Sequence, residues 1–185
     1  MTITIAGFSG SLRKDSYNSA LLRAAATLMP AGSRIEVASI ASFPLYNGDD
    51  EAAHGVPSAV SALKDAIAAA DGLLIATPEY NNSIPGVAKN AIDWLSRPPA
   101  DIARVFGGKS VALIGASPGG FGTILSHNAW LPVLRTLGAE LWTGGRLMVS
   151  RANTIFDAEG NIVDARTSDL LRSFLQGFVD SLKAR

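Results

Sequence analysis

Short apolar segments alternate with amphipathic segments along this chain, and the alternation constrains the fold more than any other feature. Continuous apolar runs are typical of strands that are buried on both faces of a sheet. The predicted strands lie at residues 3–8, 34–40, 72–78, 110–117 and 140–149, and the last is interrupted by two glycines. Strands separated by helices favour a parallel sheet that is covered on both sides.

Apolar residues at helical spacing fill the intervals between these strands. Helices are predicted around residues 21–28, 60–70, 86–96, 123–138 and 171–182. Pro132 lies inside the fourth predicted helix, where we expect it to kink or split the helix. The segment 156–164 is rich in turn residues and predicts a turn or hairpin before the last helix.

Right-handed crossovers leave few ways to connect such strands. The flavodoxin-like order 2-1-3-4-5 fits a chain of 185 residues best. We therefore expect an α/β fold, a three-layer, doubly wound, five-stranded parallel sheet, in one domain that spans residues 1–185. Ligands of such sheets bind beyond the carboxyl ends of the strands, near the switch point between the first and third strands.

Composition excludes several classes of function. The chain has 16 Lys+Arg and 16 Asp+Glu residues, so we expect no broad surface for nucleic acid or an anionic membrane. It contains no Cys, which excludes disulfides and thiolate chemistry, and only two His, which makes a His-rich metal site unexpected. His54 lies in a polar connection and His127 in the fourth helix. The first residues predict a strand rather than a signal peptide, so we expect a soluble cytoplasmic protein.

The loop after the first strand, GSLRKDS, is rich in hydrogen-bond donors. The next helix is predicted to begin near Ser16 or Tyr17, and its free N–H groups and dipole favour an anion. Ser9, Ser11, Ser16 and Asn18 add neutral donors, and the Arg13 guanidinium suits phosphate oxygens. The sequence lacks the glycine patterns of nucleotide triphosphate and dinucleotide loops, which favours a monophosphate. The alternative is a simple helix cap beside two solvated cations.

The loops after the third and fourth strands should meet the first loop at one edge of the sheet. In TPEYNNSIPG, two prolines stiffen a loop that could present its backbone to a planar ring. Tyr80 could cover the ring and Asn81 could bond its polar edge. Glu79 could act as a general acid, although pinning the loop is the favoured role. The third loop, SPGGFGT, has glycines that allow a close approach to a ligand.

Three segments together resemble the NADPH-dependent FMN reductase family: GSLRKDSYN at 10–18, TPEYNNSIPGVAKNAIDWLSRP at 77–98 and SPGG at 117–120. The resemblance extends through 43–57 and covers most of the chain. It places the FMN phosphate loop on Ser11, Leu12, Arg13, Lys14, Asp15, Ser16, Tyr17 and Asn18. It places the isoalloxazine loop on Pro78, Glu79, Tyr80 and Asn81, and a third contact on Ser117. Asp15 and Ala88 depart from residues common among relatives, Gly and Leu.

The resemblance implies an FMN-dependent oxidoreductase with NADPH or NADH as the hydride donor. Hydride would pass through flavin N5 to a quinone, flavin, azo or metal-oxyanion acceptor in a ping-pong cycle, with no catalytic side chain and no metal. It also implies a homodimer, with a tetramer as the alternative. The candidates for the dimer contact are Trp94, Leu95, Trp130, Leu131 and Leu134, unless both tryptophans are core residues. The rival functions are a flavodoxin-like electron carrier and a regulatory protein without flavin.

Overall fold

The computed structural model describes residues 2–185 as alternating strands and helices. The strands are β1 (Ile3–Ser9), β2 (Ser33–Ala38), β3 (Gly72–Ala76), β4 (Ser110–Ala116), β5 (Glu140–Leu141) and β6 (Leu147–Val149). The helices are α1 (Tyr17–Thr27), α2 (Gly48–His54), α3 (Ser58–Ala69), α4 (Gly86–Leu95), α5 (Ile102–Phe106), α6 (Ile124–Thr136) and α7 (Ala165–Lys183). None of the helices in this part of the chain is long and apolar enough to cross a membrane.

The strands form one parallel sheet in the order β2-β1-β3-β4-β5, with β6 also paired to β4. This confirms the predicted flavodoxin-like order. Every residue of β3 and β4 is buried, as their continuous apolar runs predicted. All strand pairs run in the same direction, so the carboxyl ends of β1, β3 and β4 meet at one edge. That edge carries the three loops that the sequence singled out.

The fifth position of the sheet is shared by two short strands, β5 and β6. Glu140 pairs with Ser110 at the start of β4, and Val149 pairs with Ala116 at its end. Between them the chain leaves the sheet around Trp142, whose ring lies 5.0 Å from the Phe174 ring of α7. A Cβ on either intervening glycine would lie within 2.8 Å of that indole. The predicted strand at 140–149 is therefore interrupted where its glycines indicated.

Two apolar clusters lie on opposite faces of the sheet and make three layers. Ala6 and Phe8 of β1 face the cluster built with α3, α4, α5 and α6. Ile5 of β1 faces the second cluster, built with α1 and α7. Alternate side chains of a strand point to opposite faces, so a single buried strand contributes to both clusters.

The structure corrects the expectation that the helices around Trp94 and Trp130 carry a dimer contact. Both indoles are at most 1% exposed, and Leu95 and Leu134 are also buried. Trp94 Nε1 donates to the Pro44 carbonyl at 2.8 Å, so its only polar atom is satisfied inside the chain. These side chains are core residues. Of the proposed set only Leu131 is substantially exposed, at 47%.

Three further expectations can be compared with the structure. The 156–164 hairpin is confirmed by an antiparallel bridge between Phe156 and Ile162. The helix that contains Pro132 is not split, since α6 runs without a break from Ile124 to Thr136. The polar connection that carries His54 is partly helical: α2 begins after Asn47, whose side chain accepts from Asp49 N at 3.0 Å. An Asn followed by acidic residues is a helix-start signal that the sequence offered.

His127 is a mostly buried titratable group on α6. Burial lowers the pKa of its imidazole from the ordinary 6.5 to about 4, and an interaction with the Ile114 backbone opposes that shift in part. Its Nε2 atom is buried and has no hydrogen-bond partner among the described residues. The neutral form is therefore favoured in the folded chain, whereas the unfolded chain binds a proton near the ordinary pKa.

This difference predicts a pH-dependent loss of stability. The unfolded state binds more protons below pH 6.5, so the contribution of His127 falls as the pH drops from 6.5 to about 4. A shift of this size corresponds to roughly 3 kcal/mol of unfolding free energy. In His127→Leu, the unfolding free energy measured with urea should depend less on pH over this range than it does in the wild type. His54→Gln, at the exposed end of α2, is the control and should retain the wild-type slope. Equal slopes for wild type and His127→Leu would contradict this account.

Candidate functional site

Serine side chains hold the first loop, residues 9–16, in a tight turn. Ser9 Oγ accepts from Ser11 N at 3.3 Å, and Ser11 Oγ accepts from Arg13 N at 3.4 Å. Ser16 caps α1 and accepts from Ser19 N at 3.2 Å. These bonds use the oxygens of Ser11 and Ser16 as acceptors. A hydroxyl also donates one hydrogen, so both side chains keep a donor for a ligand.

The first turn of α1 supplies further donors at this loop. The first N–H groups of a helix have no partner within the helix, and the positive end of its dipole lies there. The predicted start of α1 near Ser16 or Tyr17 is confirmed by the Ser16 cap. Arg13 lies nearby, is exposed and forms no ion pair within residues 2–185. The loop thus presents a free guanidinium, two hydroxyls and a helix terminus.

Asn18 has a different partner from the one that the sequence indicated. Its Nδ2 donates to the Ala116 carbonyl at 2.8 Å, and its Oδ1 accepts from Ala116 N at 2.9 Å. The side chain is buried, with 4% exposure. Only the second amide hydrogen remains for a ligand, so the main observed task of Asn18 is to join α1 to the end of β4.

The second loop ends in a tight two-residue hairpin. Tyr80 and Ser83 exchange backbone hydrogen bonds of 3.2 and 3.1 Å. Asn81 and Asn82 between them have φ values of 49° and 62°. Positive φ at both central residues defines a type I′ turn, and Asn tolerates this conformation better than most residues. The hairpin exposes 46% of Tyr80 at the edge of the sheet.

Buried contacts fix the base of the second loop. Thr77 Oγ1 lies 2.9 Å from Ser126 Oγ and accepts from Trp130 Nε1 at 3.0 Å. Glu79 Oε2 accepts from the backbone N–H groups of Leu125 and Ser126 at 2.8 and 3.1 Å. Glu79 thus pins its loop to the start of α6, which is the role that the sequence analysis favoured over a general acid.

The third loop is held by the strand at its side. Ser117 N donates to the Val149 carbonyl at 2.9 Å, and Arg151 N donates to the Gly119 carbonyl at 3.0 Å. Arg151 has a positive φ of 50°, which is uncommon for a residue other than Gly, Asn or Asp. A Cβ on Gly120 would meet nothing within 4 Å. The loop is therefore anchored at its ends and open to solvent near its tip.

The three loops converge on one crevice, as the sequence analysis predicted. Nine of the thirteen predicted site residues line it: Ser11, Arg13, Ser16, Tyr17, Asn18, Pro78, Glu79, Tyr80 and Ser117. Ala116 and Pro118 also line it and were not predicted. Ala116 directly precedes Ser117, the last residue of the predicted fourth strand, so its place beside the third loop could have been inferred from the sequence.

Four predicted residues lie outside the lining of this crevice. Lys14 and Asp15 line a neighbouring cavity of about 200 Å³ between the first loop and the turn at 157–160. Leu12 lines a third cavity, toward the end of β2. Asn81 occupies the corner of the type I′ turn. Asp15 does not belong to the residues with positive φ, so its replacement of the Gly common among relatives requires no left-handed backbone.

The crevice fits the FMN that the resemblance implies. The crevice has a volume of about 60 Å³, far below the roughly 300–1,000 Å³ of pockets that enclose a whole ligand. Hydroxyls, Arg13 and the start of α1 suit a phosphate in this small space. A tricyclic ring would have to lie at the open mouth, beside Tyr80. Such a ring would keep one face accessible to other molecules.

Comparisons with known proteins agree with this geometry. A family model described as NADPH-dependent FMN reductase matches residues 3–154. An NAD(P)H-dependent FMN reductase from Pseudomonas aeruginosa is 46% identical, with 94% of this chain and 92% of that protein covered. A 2-hydroxy-1,4-benzoquinone reductase from a Burkholderia species is 41% identical, with 100% and 96% covered. The solved structure of FerB, a flavoenzyme NAD(P)H:(acceptor) oxidoreductase from Paracoccus denitrificans, has a TM-score of 0.87 at 34% identity and covers 99% of this chain. FerB itself is covered over 98% of its length.

The matched range contains all three loops and the whole of the crevice. The relatives are matched over nearly their full length, so the likeness is not confined to one motif. The resemblance drawn from the sequence is thereby confirmed, and with it FMN as cofactor and NAD(P)H as donor. This chain belongs to the NADPH-dependent FMN reductase family of oxidoreductases.

Proposed function

We propose that this chain binds FMN across the three loops and reduces quinone-like small molecules with NAD(P)H. The observation that carries the proposal is the crevice at the carboxyl edge of the sheet. It combines an anion site at the start of α1 with an open mouth beside Tyr80. Quinones are supported as acceptors by two relatives, the 2-hydroxy-1,4-benzoquinone reductase and a quinone reductase from Pseudomonas putida. A cytoplasmic location fits this role, because reduced nicotinamide cofactors are regenerated there.

Each loop has a separate task in this proposal. Ser11, Ser16, Arg13 and the first N–H groups of α1 hold the phosphate. The backbone of 78–81 lies along the ring edge, and Tyr80 borders the ring face. Ser117 closes the opposite side. FMN, when bound, supplies the hydride and two-electron chemistry, so the chain needs no nucleophile. Its side chains orient the cofactor and leave one face for donor and acceptor in turn.

The function is tested by anaerobic absorbance of the FMN-loaded protein during a titration with NADPH. A stoichiometric amount of NADPH should bleach the flavin, and a benzoquinone should then restore its colour. Steady-state rates should give parallel lines in double-reciprocal plots, because donor and acceptor use the same face in turn. Bleaching that is too slow to support turnover, together with no reduction of free quinones, would favour the electron-carrier function.

Arg13 provides the sharpest prediction about the phosphate. Loss of a charge-assisted hydrogen bond usually costs about 1.5–3 kcal/mol, so Arg13→Ala should weaken FMN binding by roughly 10- to 100-fold. Riboflavin lacks the phosphate, and its affinity should barely change. The measurement is fluorescence quenching of both flavins by the deflavinated protein.

Lys14→Ala is the matched control for that experiment. Lys14 is an adjacent exposed cation, but it lines the neighbouring cavity rather than the crevice. Its removal should alter FMN affinity much less than the removal of Arg13. Wild-type FMN affinity in Arg13→Ala, or an equal loss of riboflavin affinity, would show that the phosphate does not bind at this side chain.

The homodimer is also part of the proposal, with a different contact from the one first expected. Phe121 is 87% exposed, and Ile124 and Leu125 are about half as exposed beside it at the start of α6. Exposed apolar patches of this kind often mark protein contacts. Light scattering should give a dimer mass, and Phe121→Ser should shift it toward a monomer. Leu170→Ser, at an exposed position of α7, should have no effect. A monomer mass for the wild type would exclude the dimer.

A further inference from the structure

The loop that would face the flavin ring is bonded to α6, at a site distinct from the anion site on α1. Glu79 carries this connection, since its Oε2 accepts from both Leu125 N and Ser126 N. These two N–H groups lie in the first turn of α6, where no intrahelical acceptor exists. A carboxylate at that position is also stabilised by the helix dipole. The side chain thus serves as a cap supplied by another part of the chain.

A second anchor supports the same loop from below. Thr77, Ser126 and Trp130 are completely buried, and their polar atoms bond one another. Ser126 takes part in both anchors, through its backbone N–H and its hydroxyl. The loop from Thr77 to Tyr80 is consequently held against α6 at two successive points. Neither anchor involves α1 or the first loop.

We propose that Glu79 is a positioning residue that sets the ring-facing loop relative to the phosphate loop. The inference rests on the proposed flavin site, and it assigns the phosphate and the ring of the flavin to two different anchors. The phosphate is held by α1, while the orientation of the ring depends on α6 through Glu79. Glu79 lies between Pro78 and Tyr80, which both line the crevice, so a shift of its side chain moves the ring-facing backbone.

Separate anchors for the phosphate and the ring predict that two variants differ in their relative affinities for FMN and riboflavin. Glu79→Ala removes the cap, and should weaken FMN and riboflavin by the same factor, roughly 10-fold. Arg13→Ala should weaken FMN alone. The visible absorption maximum and the midpoint potential of bound flavin should also shift in Glu79→Ala, because the ring contacts change. Glu79→Gln keeps an acceptor oxygen at the same place and should restore most of the affinity and the wild-type spectrum.

Asp164→Ala is the control for an effect of helix capping alone. Asp164 Oδ2 accepts from Thr167 N at 2.7 Å at the start of α7, and it does not line the crevice. This variant should lower the melting temperature and leave both flavin affinities unchanged. Thr77→Val breaks the second anchor with little change of shape. It should weaken both flavins as well, so the inference can be tested even if Glu79→Ala folds poorly.

The outcomes separate this inference from the proposed function. A wild type that binds neither flavin would overturn the proposed function, and the positioning role with it. The positioning role alone would be overturned if the wild type binds FMN and Glu79→Ala matches it in four quantities. These are the FMN affinity, the riboflavin affinity, the absorption maximum and the midpoint potential. The same holds if Glu79→Ala behaves like Asp164→Ala, with lower stability as its sole effect. Equal losses for both flavins, reversed in Glu79→Gln, would support it.

Discussion

The candidate site depends on one buried contact, the pair of hydrogen bonds between the Asn18 side chain and the Ala116 backbone. Asn18 lies in the first turn of α1, and Ala116 is the last residue of β4. The contact therefore fixes the distance between the phosphate loop and the third loop. Breaking it would leave a buried amide and two backbone groups unsatisfied, at a cost of about 1–3 kcal/mol for each group. Glu79 fixes the remaining loop to the start of α6, so each of the three loops is held by specific hydrogen bonds.

Most of the motif at 77–98, which identified the family, stabilises the fold and does not line the crevice. Asn90 Nδ2 and Trp94 Nε1 both donate to the Pro44 carbonyl, at 2.9 and 2.8 Å. These bonds tie α4 to the segment 43–57, which is the other region that carried the resemblance. The side chains of the first region bond the backbone of the second, which holds the long connection after β2 against α4. Only the opening of the motif reaches the crevice.

The sequence predicted those features that depend on local pattern. Apolar runs and helical stripes were sufficient for the sheet order and for the start of α1 at Ser16, and glycine, proline and serine content located the loops. It could not predict contacts between distant residues, such as Asn18 with Ala116, because no spacing rule connects them. For the same reason the sequence left open whether Trp94 and Trp130 are core residues or part of a dimer contact, because the apolar pattern of a helix is the same in both cases. The short helix after Asn47 was missed although its capping residue was present.

The central claim is that the phosphate of FMN binds at the start of α1 while the ring lies at the mouth beside Tyr80. The most direct measurement is a crystal structure of the FMN-loaded chain. The account predicts phosphate oxygens within hydrogen-bond distance of Arg13, Ser11 and Ser16, and a ring along the backbone of 78–81 with one open face. A phosphate in the neighbouring cavity beside the turn at 157–160, or a ring buried away from Tyr80, would contradict it.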